Sequence, residues 1–197
     1  MGLMPTPSQT VGPYFSIGVD DGFIGPELVA PDHPGAVRLF GTVSDGEGVP
    51  VNDTMIEIWQ ANAAGRYAHP EDTREEIPLE PGFRGFGRCP TDFQGRFEFV
   101  TVKPGAYPWP NHPNAWRAQH VHFSVFGPAF ATRLVTQMYF PGDPLFFQDP
   151  IFHSVRDPKH RDRMISAFDL DNTVEEWALA YRFDIVLRGR EATPMET

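Results

Sequence analysis

Apolar and polar residues alternate along several short segments of this chain, which is the period-two pattern of β-strands with one buried face. The pattern predicts strands at residues 37–43, 55–59, 96–102, 121–126, 133–140 and 181–187. Turn signals separate them, such as Asp45-Gly46-Glu47-Gly48 after the first strand. Several short strands joined by turns favour an all-β fold, a β-sandwich of mainly antiparallel strands with long loops.

Three segments depart from this alternation. Residues 1–35 are rich in Pro and Gly and predict an extended N-terminal arm, so that residues 36–197 form a single sandwich domain. Residues 157–165, with Pro158 near the start, predict a short helix. Residues 68–90 have no clear period and predict a long irregular loop, which often marks a functional site.

Composition and charge narrow the function classes. The net charge of −10 over 197 residues disfavours nonspecific nucleic-acid binding, although it allows an anionic small substrate at a local site. Cys89 is the only cysteine, so no internal disulfide is possible, and we expect an inert, half-buried thiol. No apolar run is long enough to span a membrane and no signal peptide is evident, so we expect a soluble cytoplasmic protein.

Two histidines and two tyrosines form the candidate metal site. His120 and His122 are two residues apart in a predicted strand, so their side chains project from one face and can bind one metal ion. Tyr67 and Tyr107 adjoin loop signals at strand ends, where side chains can turn into a cleft. Fe(III) is a hard cation that favours anionic oxygen ligands, so two phenolates and two imidazoles indicate a mononuclear ferric site.

Four stretches carry a resemblance to a known family. They are W-Q-A-N-A-A-G-R-Y ending at Tyr67, K-P-G-A-Y-P-W at residues 103–109, W-R-A-Q-H-V-H-F at residues 116–123, and the segments 181–185 and 187–189. In order, spacing and flanks the chain resembles the intradiol ring-cleaving dioxygenases, above all the protocatechuate 3,4-dioxygenase branch. The related catechol and hydroxyquinol dioxygenases usually carry an extra helical N-terminal domain, for which this chain is too short.

The resemblance implies a role for each matching residue. Tyr67, Tyr107, His120 and His122 would hold a non-haem Fe(III), and Tyr107 would be the axial ligand released when the catechol chelates the iron. Arg117 matches the active-site arginine that stabilises negative charge on the ring. Further matches are Gln137, beside the reacting ring, and Trp109, which lines the pocket. The implied reaction is O2-dependent cleavage of a catechol, with protocatechuate giving 3-carboxy-cis,cis-muconate.

The N-terminal arm resembles a different subunit from the rest of the chain. Protocatechuate 3,4-dioxygenases combine an iron-free α subunit with an iron-bearing β subunit, and T-P-S-Q-T-V-G-P-Y at residues 6–14 is typical of α. The substrate-binding candidates from this comparison are Thr10, Gly12, Pro13 and Tyr14, and Arg133 is a candidate for the substrate carboxylate. The chain therefore predicts an oligomer, either of identical copies or with a homologous second subunit.

Three alternatives remain open. An iron-free α-type subunit that completes the pocket of a catalytic partner would explain the arm but not the intact ligands. Zinc could use two histidines and a third ligand, yet it more naturally recruits a carboxylate or a third histidine than two tyrosines. A metal-free, transthyretin-like binding sandwich would need neither the H-x-H strand nor Arg117. Hydrolase signatures such as G-x-S-x-G are missing from the sequence, and His69, His112, His153 and His160 are predicted to be surface residues.

Overall fold

Strands dominate the computed structural model, which describes residues 24–109, 113–126 and 133–194. The strands within these ranges are β1 (Ala36–Ser44), β2 (Met55–Trp59), β3 (Phe86–Pro90), β4 (Arg96–Val102), β5 (Tyr107–Pro108), β6 (Trp116–Arg117), β7 (His120–Phe126), β8 (Arg133–Tyr139), β9 (Ala167–Val174), β10 (Ala178–Arg182) and β11 (Ile185–Val186). The helices are a 3-10 helix (Pro144–Gln148), α1 (Pro150–Ser154) and α2 (Pro158–Asp162).

The strands form two main sheets and a small ribbon. In the five-stranded sheet β1 is central: it pairs antiparallel with β4 and parallel with β10 and β11, and β9 follows β10 at the edge. The four-stranded sheet has the order β3-β2-β7-β8 and is antiparallel throughout. The ribbon pairs β5 with β6. The predicted all-β sandwich of mainly antiparallel strands is thus confirmed.

The main core contains side chains from both sheets. Leu39 and Phe99 come from the five-stranded sheet, and Ile56, Phe123 and Met138 from the four-stranded sheet; all five are fully buried. These are the apolar positions of the alternating segments. Burying one such side chain contributes about 1.5–3 kcal/mol, so this interface supplies much of the driving force for folding.

Some elements differ from the sequence expectation. The segment predicted as one strand at residues 181–187 is divided between β10 and β11, because the Asp184 carboxylate accepts hydrogen bonds from the backbone and hydroxyl of Thr42 at 3.0 and 2.9 Å. The predicted loop at residues 68–90 ends in β3, which pairs with β2 along its whole length. The edge strand β9 was not predicted by the alternation of apolar and polar residues, because most of its side chains are exposed and it buries no apolar face.

The other segments outside the alternation have simple local explanations. Asp157 caps α2, its carboxylate accepting from the backbone N–H of Lys159 at 2.9 Å, so the predicted helix begins where Pro158 indicated. The described end of the N-terminal arm, residues 24–35, packs against the sandwich. There Leu28 and Val29 are buried in the main core.

Candidate metal centre

The second face of β7 carries the two histidines. Val121 and Phe123 point into the core, whereas His120 and His122 lie on the opposite face. That face is largely shielded from water, since His120 is only 2% exposed and His122 is half-buried. In the neighbouring strand β8, Tyr139 lies opposite His120 and Gln137 lies opposite His122.

The structure brings the four predicted ligands together. The hydroxyl oxygens of Tyr67 and Tyr107 are 3.4 Å apart, and Tyr107 Oη is 3.3 Å from His120 Nε2. The rings of His120 and His122 are 4.9 Å apart between centroids. Tyr67 and Tyr107 are distant in sequence from each other and from the two histidines of β7, so strand pairing and loop packing create this cluster.

Two glycines allow the tyrosine-bearing loops to approach each other. Gly65 has a φ of 83°, and a Cβ there would lie 2.5 Å from the carbonyl oxygen of Ala106. A Cβ on Gly105 would lie 2.5 Å from the backbone nitrogen of Gly65. Both glycine N–H groups donate to the carbonyl oxygen of Asn62 at 2.9 Å. Larger residues at either glycine would separate Tyr67 from Tyr107.

The donor set fits a single ferric ion. Ligands about 2 Å from one ion lie about 2.8 Å apart at a right angle and about 3.5 Å apart at 120°. The two oxygen–oxygen and oxygen–nitrogen distances of 3.4 and 3.3 Å fall within that interval. Two phenolates would balance two of the three charges of Fe(III), and hard oxygen donors suit it. In the described parts of the chain, no three His, Cys, Asp or Glu side chains are grouped to hold a metal.

Both histidines are held in a form that can bind a metal. His120 Nδ1 is 2.6 Å from the carbonyl oxygen of Ala118, which can only accept, so Nδ1 carries the proton and Nε2 keeps its lone pair toward Tyr107. Burial, and then the charge of Arg117, hold the pKa of His120 and His122 well below the usual range. The indole of Trp59 stacks on the His122 ring at 4.8 Å and 4°, which fixes the plane of that ring.

Arg117 and Gln137 are buried next to the four candidate ligands and hydrogen-bond to each other. The β5–β6 ribbon places Arg117 opposite Tyr107. The Arg117 guanidinium donates to Gln137 Oε1 and to the Asp149 carboxylate, and Tyr139 donates to the same Gln137 oxygen at 2.8 Å. Burial opposes the charge of Arg117, but the nearby phenol groups and Asp149 together raise its pKa above the usual value. The site therefore contains a fixed, desolvated positive charge.

An ion pair that the sequence analysis missed supports the two tyrosines. The Asp72 carboxylate accepts from the Tyr67 backbone N–H at 2.9 Å and from two nitrogens of the Arg74 guanidinium at 2.8 and 2.6 Å. The guanidinium lies over the Tyr107 ring, 5.4 Å from its centroid. Desolvation raises the pKa of Asp72, but Arg74 and the backbone N–H groups outweigh it and lower the pKa overall. The sequence signal for this ion pair was the acidic Asp72 two residues before the basic Arg74, a few residues after Tyr67.

The remaining predicted site residues lie farther out or outside the described ranges. Trp109 is half-buried directly after β5, and its backbone N–H donates to the Ala115 carbonyl at 3.0 Å. Arg133 shares a sheet face with Gln137, four residues away, and its Nε donates to Ser124 Oγ at 2.8 Å. The predicted arm residues Thr10, Gly12, Pro13 and Tyr14 lie outside the described residues.

Comparisons with known proteins show to which family the chain is similar. The chain matches the family model described as Dioxygenase over residues 12–189. It is 62% identical over 160 residues to the protocatechuate 3,4-dioxygenase beta chain of Burkholderia cepacia, covering 81% of this chain and 67% of the relative. It is 34% identical over 205 residues to the alpha chain of Pseudomonas putida, covering 97% and 96%.

A solved structure of a dioxygenase domain has the same fold as this chain. The dioxygenase domain of a dioxygenase–carbohydrate-binding fusion from Streptomyces sp. SirexAA-E superimposes with a TM-score of 0.63 at 27% identity, covering 93% of this chain and 98% of that one. The chain therefore belongs to the intradiol ring-cleaving dioxygenase family, oxidoreductases of aromatic catabolism, and is an enzyme of that kind. None of the helices formed by the described residues is long and apolar enough to cross a membrane.

Proposed function

We propose that this enzyme cleaves protocatechuate between its two hydroxyl-bearing carbons with O2, giving 3-carboxy-cis,cis-muconate, at one non-haem ferric ion. The observation that carries the proposal is the convergence of Tyr67, Tyr107, His120 and His122, with neighbouring donor atoms 3.3 and 3.4 Å apart. The substrate is assigned because protocatechuate 3,4-dioxygenase chains are among the relatives with extensive coverage.

The same four side chains would hold the iron. Bound there, Fe(III) supplies a Lewis acid that polarises the catechol oxygens and acts as a template for the substrate. His120 and His122 remain fixed, since both project from a central strand of a four-stranded sheet. Tyr67 is also held in place, being 4% exposed and anchored by Asp72 through its backbone N–H.

Tyr107 is the ligand that we expect to leave. It belongs to a strand of only two residues, is half-buried, and contacts Tyr67 and His120 through its hydroxyl. Burial raises the pKa of the Tyr107 hydroxyl, and Arg117 and Tyr67 offset only part of that rise. A phenolate with a raised pKa is a good proton acceptor, so Tyr107 would take a proton from the incoming catechol as it moves away.

We assign Arg117 and Gln137 to the substrate ring. The permanent charge of Arg117 would stabilise negative charge that develops on the substrate, in a buried position where such charge interactions are strong. Both Arg117 and Tyr139 donate to Gln137 Oε1. These two hydrogen bonds fix the orientation of the amide, so its Nε2 points away from Arg117 and Tyr139 and can donate to another acceptor. We assign Nε2 to a hydrogen bond beside the reacting ring.

We assign recognition of the substrate carboxylate to Arg133, with Trp109 and the arm residues Thr10, Gly12, Pro13 and Tyr14 as further parts of the pocket. Arg133 lies on the face of the four-stranded sheet that also carries His122 and Gln137. We further propose that the enzyme is an oligomer of identical copies or pairs with a homologous subunit. Support comes from its likeness to both an alpha and a beta chain.

A second candidate function is that of an iron-free subunit that completes the pocket of a catalytic partner. It is favoured by the alignment with an alpha chain over 97% of this chain, against 81% for the beta chain. The complete donor set argues for the catalytic role instead. The two candidates make opposite predictions for the isolated chain.

Oxygen uptake with identification of the product tests the proposal. The purified chain is supplied with Fe(III) and given protocatechuate, catechol or hydroxyquinol in separate reactions. We expect fastest uptake with protocatechuate and a product with the mass and absorption of 3-carboxy-cis,cis-muconate. Cleavage of catechol at an equal or higher rate would contradict the substrate assignment, and no uptake with any of the three would favour the supporting subunit.

A further inference from the structure

Asp149 lies at the centre of a buried hydrogen-bond cluster next to the site. It is fully buried between the 3-10 helix and α1. Its two carboxylate oxygens are 3.2 and 3.3 Å from Arg117 Nε, and one of them accepts from the Ala118 backbone N–H at 2.9 Å. The other accepts from the backbone N–H groups of Ile151 and Phe152 at 2.9 and 3.1 Å. Both carboxylate oxygens therefore contact the active-site arginine, and each also accepts from the backbone.

The contact with Asp149 determines which edge of the Arg117 guanidinium faces the site. The guanidinium is a rigid planar group, so fixing the direction of Nε–H also fixes the plane of the group and the directions of its terminal N–H bonds. One terminal nitrogen, Nη2, reaches Gln137 Oε1. Asp149 also compensates the charge of Arg117 within the buried region, where an unpaired guanidinium would be strongly unfavourable.

We propose that Asp149 is a positioning residue of this enzyme: by holding Arg117 through Nε, it aligns the guanidinium with Gln137 and with the substrate ring. The catalytic part of this inference rests on the proposed function. The hydrogen bonds from Ala118, Ile151 and Phe152 give the carboxylate a fixed location, so it acts as a rigid support for Arg117.

A simpler role would be to fasten the helical segment to the sheet, and Asp143 provides a matched control for it. Asp143 is also buried and caps the preceding 3-10 helix, and its carboxylate accepts from the backbone N–H groups of Gln119 and Leu145 at 2.7 and 2.8 Å. The hydrogen bonds that the Asp143 carboxylate accepts from the described residues come from backbone N–H groups, and none comes from Arg117. Both aspartates therefore secure the same segment, but only Asp149 contacts the arginine.

The test compares Asp149→Asn and Asp143→Asn in the full-length chain, each with Arg117 present and with Arg117→Met. Three quantities are measured: kcat and KM for protocatechuate, the visible absorption maximum of the iron-loaded protein, and the melting temperature of the iron-free protein. We expect Asp149→Asn to lower kcat about 10- to 100-fold with little change in KM. The visible absorption maximum of iron-loaded Asp149→Asn should differ from that of the wild type. Asp143→Asn should keep the wild-type absorption maximum and kinetics and have only a lower melting temperature.

The Arg117→Met background tests whether Asp149 acts through the arginine. In that background Asp149→Asn should have little further effect on kcat. The melting temperature of the double variant should fall by less than the sum of the decreases in the two single variants, because no unpaired charge remains. If Asp149→Asn alone does not fold but the double variant does, the same coupling is demonstrated. Equal kcat losses in both backgrounds, or an equal spectral and kinetic loss in Asp143→Asn, would overturn the proposal.

Failure of the proposed function gives a distinct result. If neither the wild-type chain nor any variant takes up iron, the assignment of a ferric site fails. The melting temperatures of four iron-free proteins (wild type, Asp149→Asn, Arg117→Met and their double variant) then still decide whether Asp149 holds Arg117. Additive losses of melting temperature would reject the positioning role, and non-additive losses would retain it.

Discussion

The outer faces of the two sheets show the same alternation in sequence but have opposite environments. On the five-stranded sheet, Arg38 and Glu98 form an ion pair at 2.6 Å with side chains 19% and 44% exposed. On the other side of the molecule, Arg117 and Asp149 pair at 3.2 Å beside the four-stranded sheet with side chains 8% and 0% exposed. One polar face meets water, and the other is covered.

The covered face must satisfy its polar groups internally. His120, Ser124 and Gln137 are all at most 2% exposed, and each has a protein hydrogen-bond partner. Replacing a buried ion pair by apolar packing is often neutral or stabilising, so the Arg117–Asp149 pair is weak evidence for a contribution to stability. The difference between the faces therefore agrees with the surface to which we assign the function.

The largest expected effect is loss of iron from His120→Ala. The substitution removes one of four donors from a fully enclosed position, so iron content measured by atomic absorption should fall close to zero. His160→Ala alters an exposed histidine on α2 and should leave iron content unchanged. Full iron retention in His120→Ala would contradict the ligand assignment.

Tyr107→Phe should keep its iron but turn over protocatechuate about 100-fold more slowly, since it loses a proton acceptor while three donors remain. Steady-state kinetics and iron content measure the two effects. The matched control is Tyr181→Phe, a buried tyrosine of the five-stranded sheet. A normal kcat in Tyr107→Phe would show that this hydroxyl has no part in turnover.

The two ion pairs should differ in their effect on stability. Arg117→Met leaves the buried Asp149 carboxylate unpaired and should lower the free energy of unfolding by about 3–5 kcal/mol. Arg38→Met, at a pair screened by water, should lower it by about 1 kcal/mol or less. Urea unfolding of the iron-free proteins measures both. Equal losses would mean that the two faces do not differ as described.

The smallest effect concerns Cys89, at the edge strand of the four-stranded sheet. Burial is the main cause that raises the pKa of this thiol. Because the thiolate is the reactive form, labelling by a disulfide reagent at pH 8 should be slower in the folded protein than in urea. Equal rates would indicate that the edge beside Glu57 and Arg88 is more open than the structure has it.

Much of the fold could be predicted from the sequence because most central strands bury one face. Residues 55–59 and 96–102 alternate and match β2 and β4 in both bounds. The missed elements lack that signal. The β5–β6 ribbon has only two residues per strand, and β9 exposes most of its side chains. The local period of the sequence cannot reveal strands that are short or unburied.

The candidate site shows a similar division. Strand periodicity alone predicts that His120 and His122 share a face, and the loop motifs point to Tyr67 and Tyr107. The supporting residues Asp72, Tyr139 and Asp149 depend on how loops and neighbouring strands cross in space. Only the Asp72–Arg74 charge pair left a signal in the sequence, whereas the contacts of Tyr139 and Asp149 emerged only from the structure.

The most direct test of the central claim is a visible absorption spectrum of the purified chain, loaded with Fe(III), before and after anaerobic addition of protocatechuate. Ferric tyrosinate coordination by Tyr67 and Tyr107 predicts a red protein whose absorption band shifts when the substrate displaces a ligand. A colourless protein that takes up no iron would contradict the catalytic role and make this chain the supporting subunit.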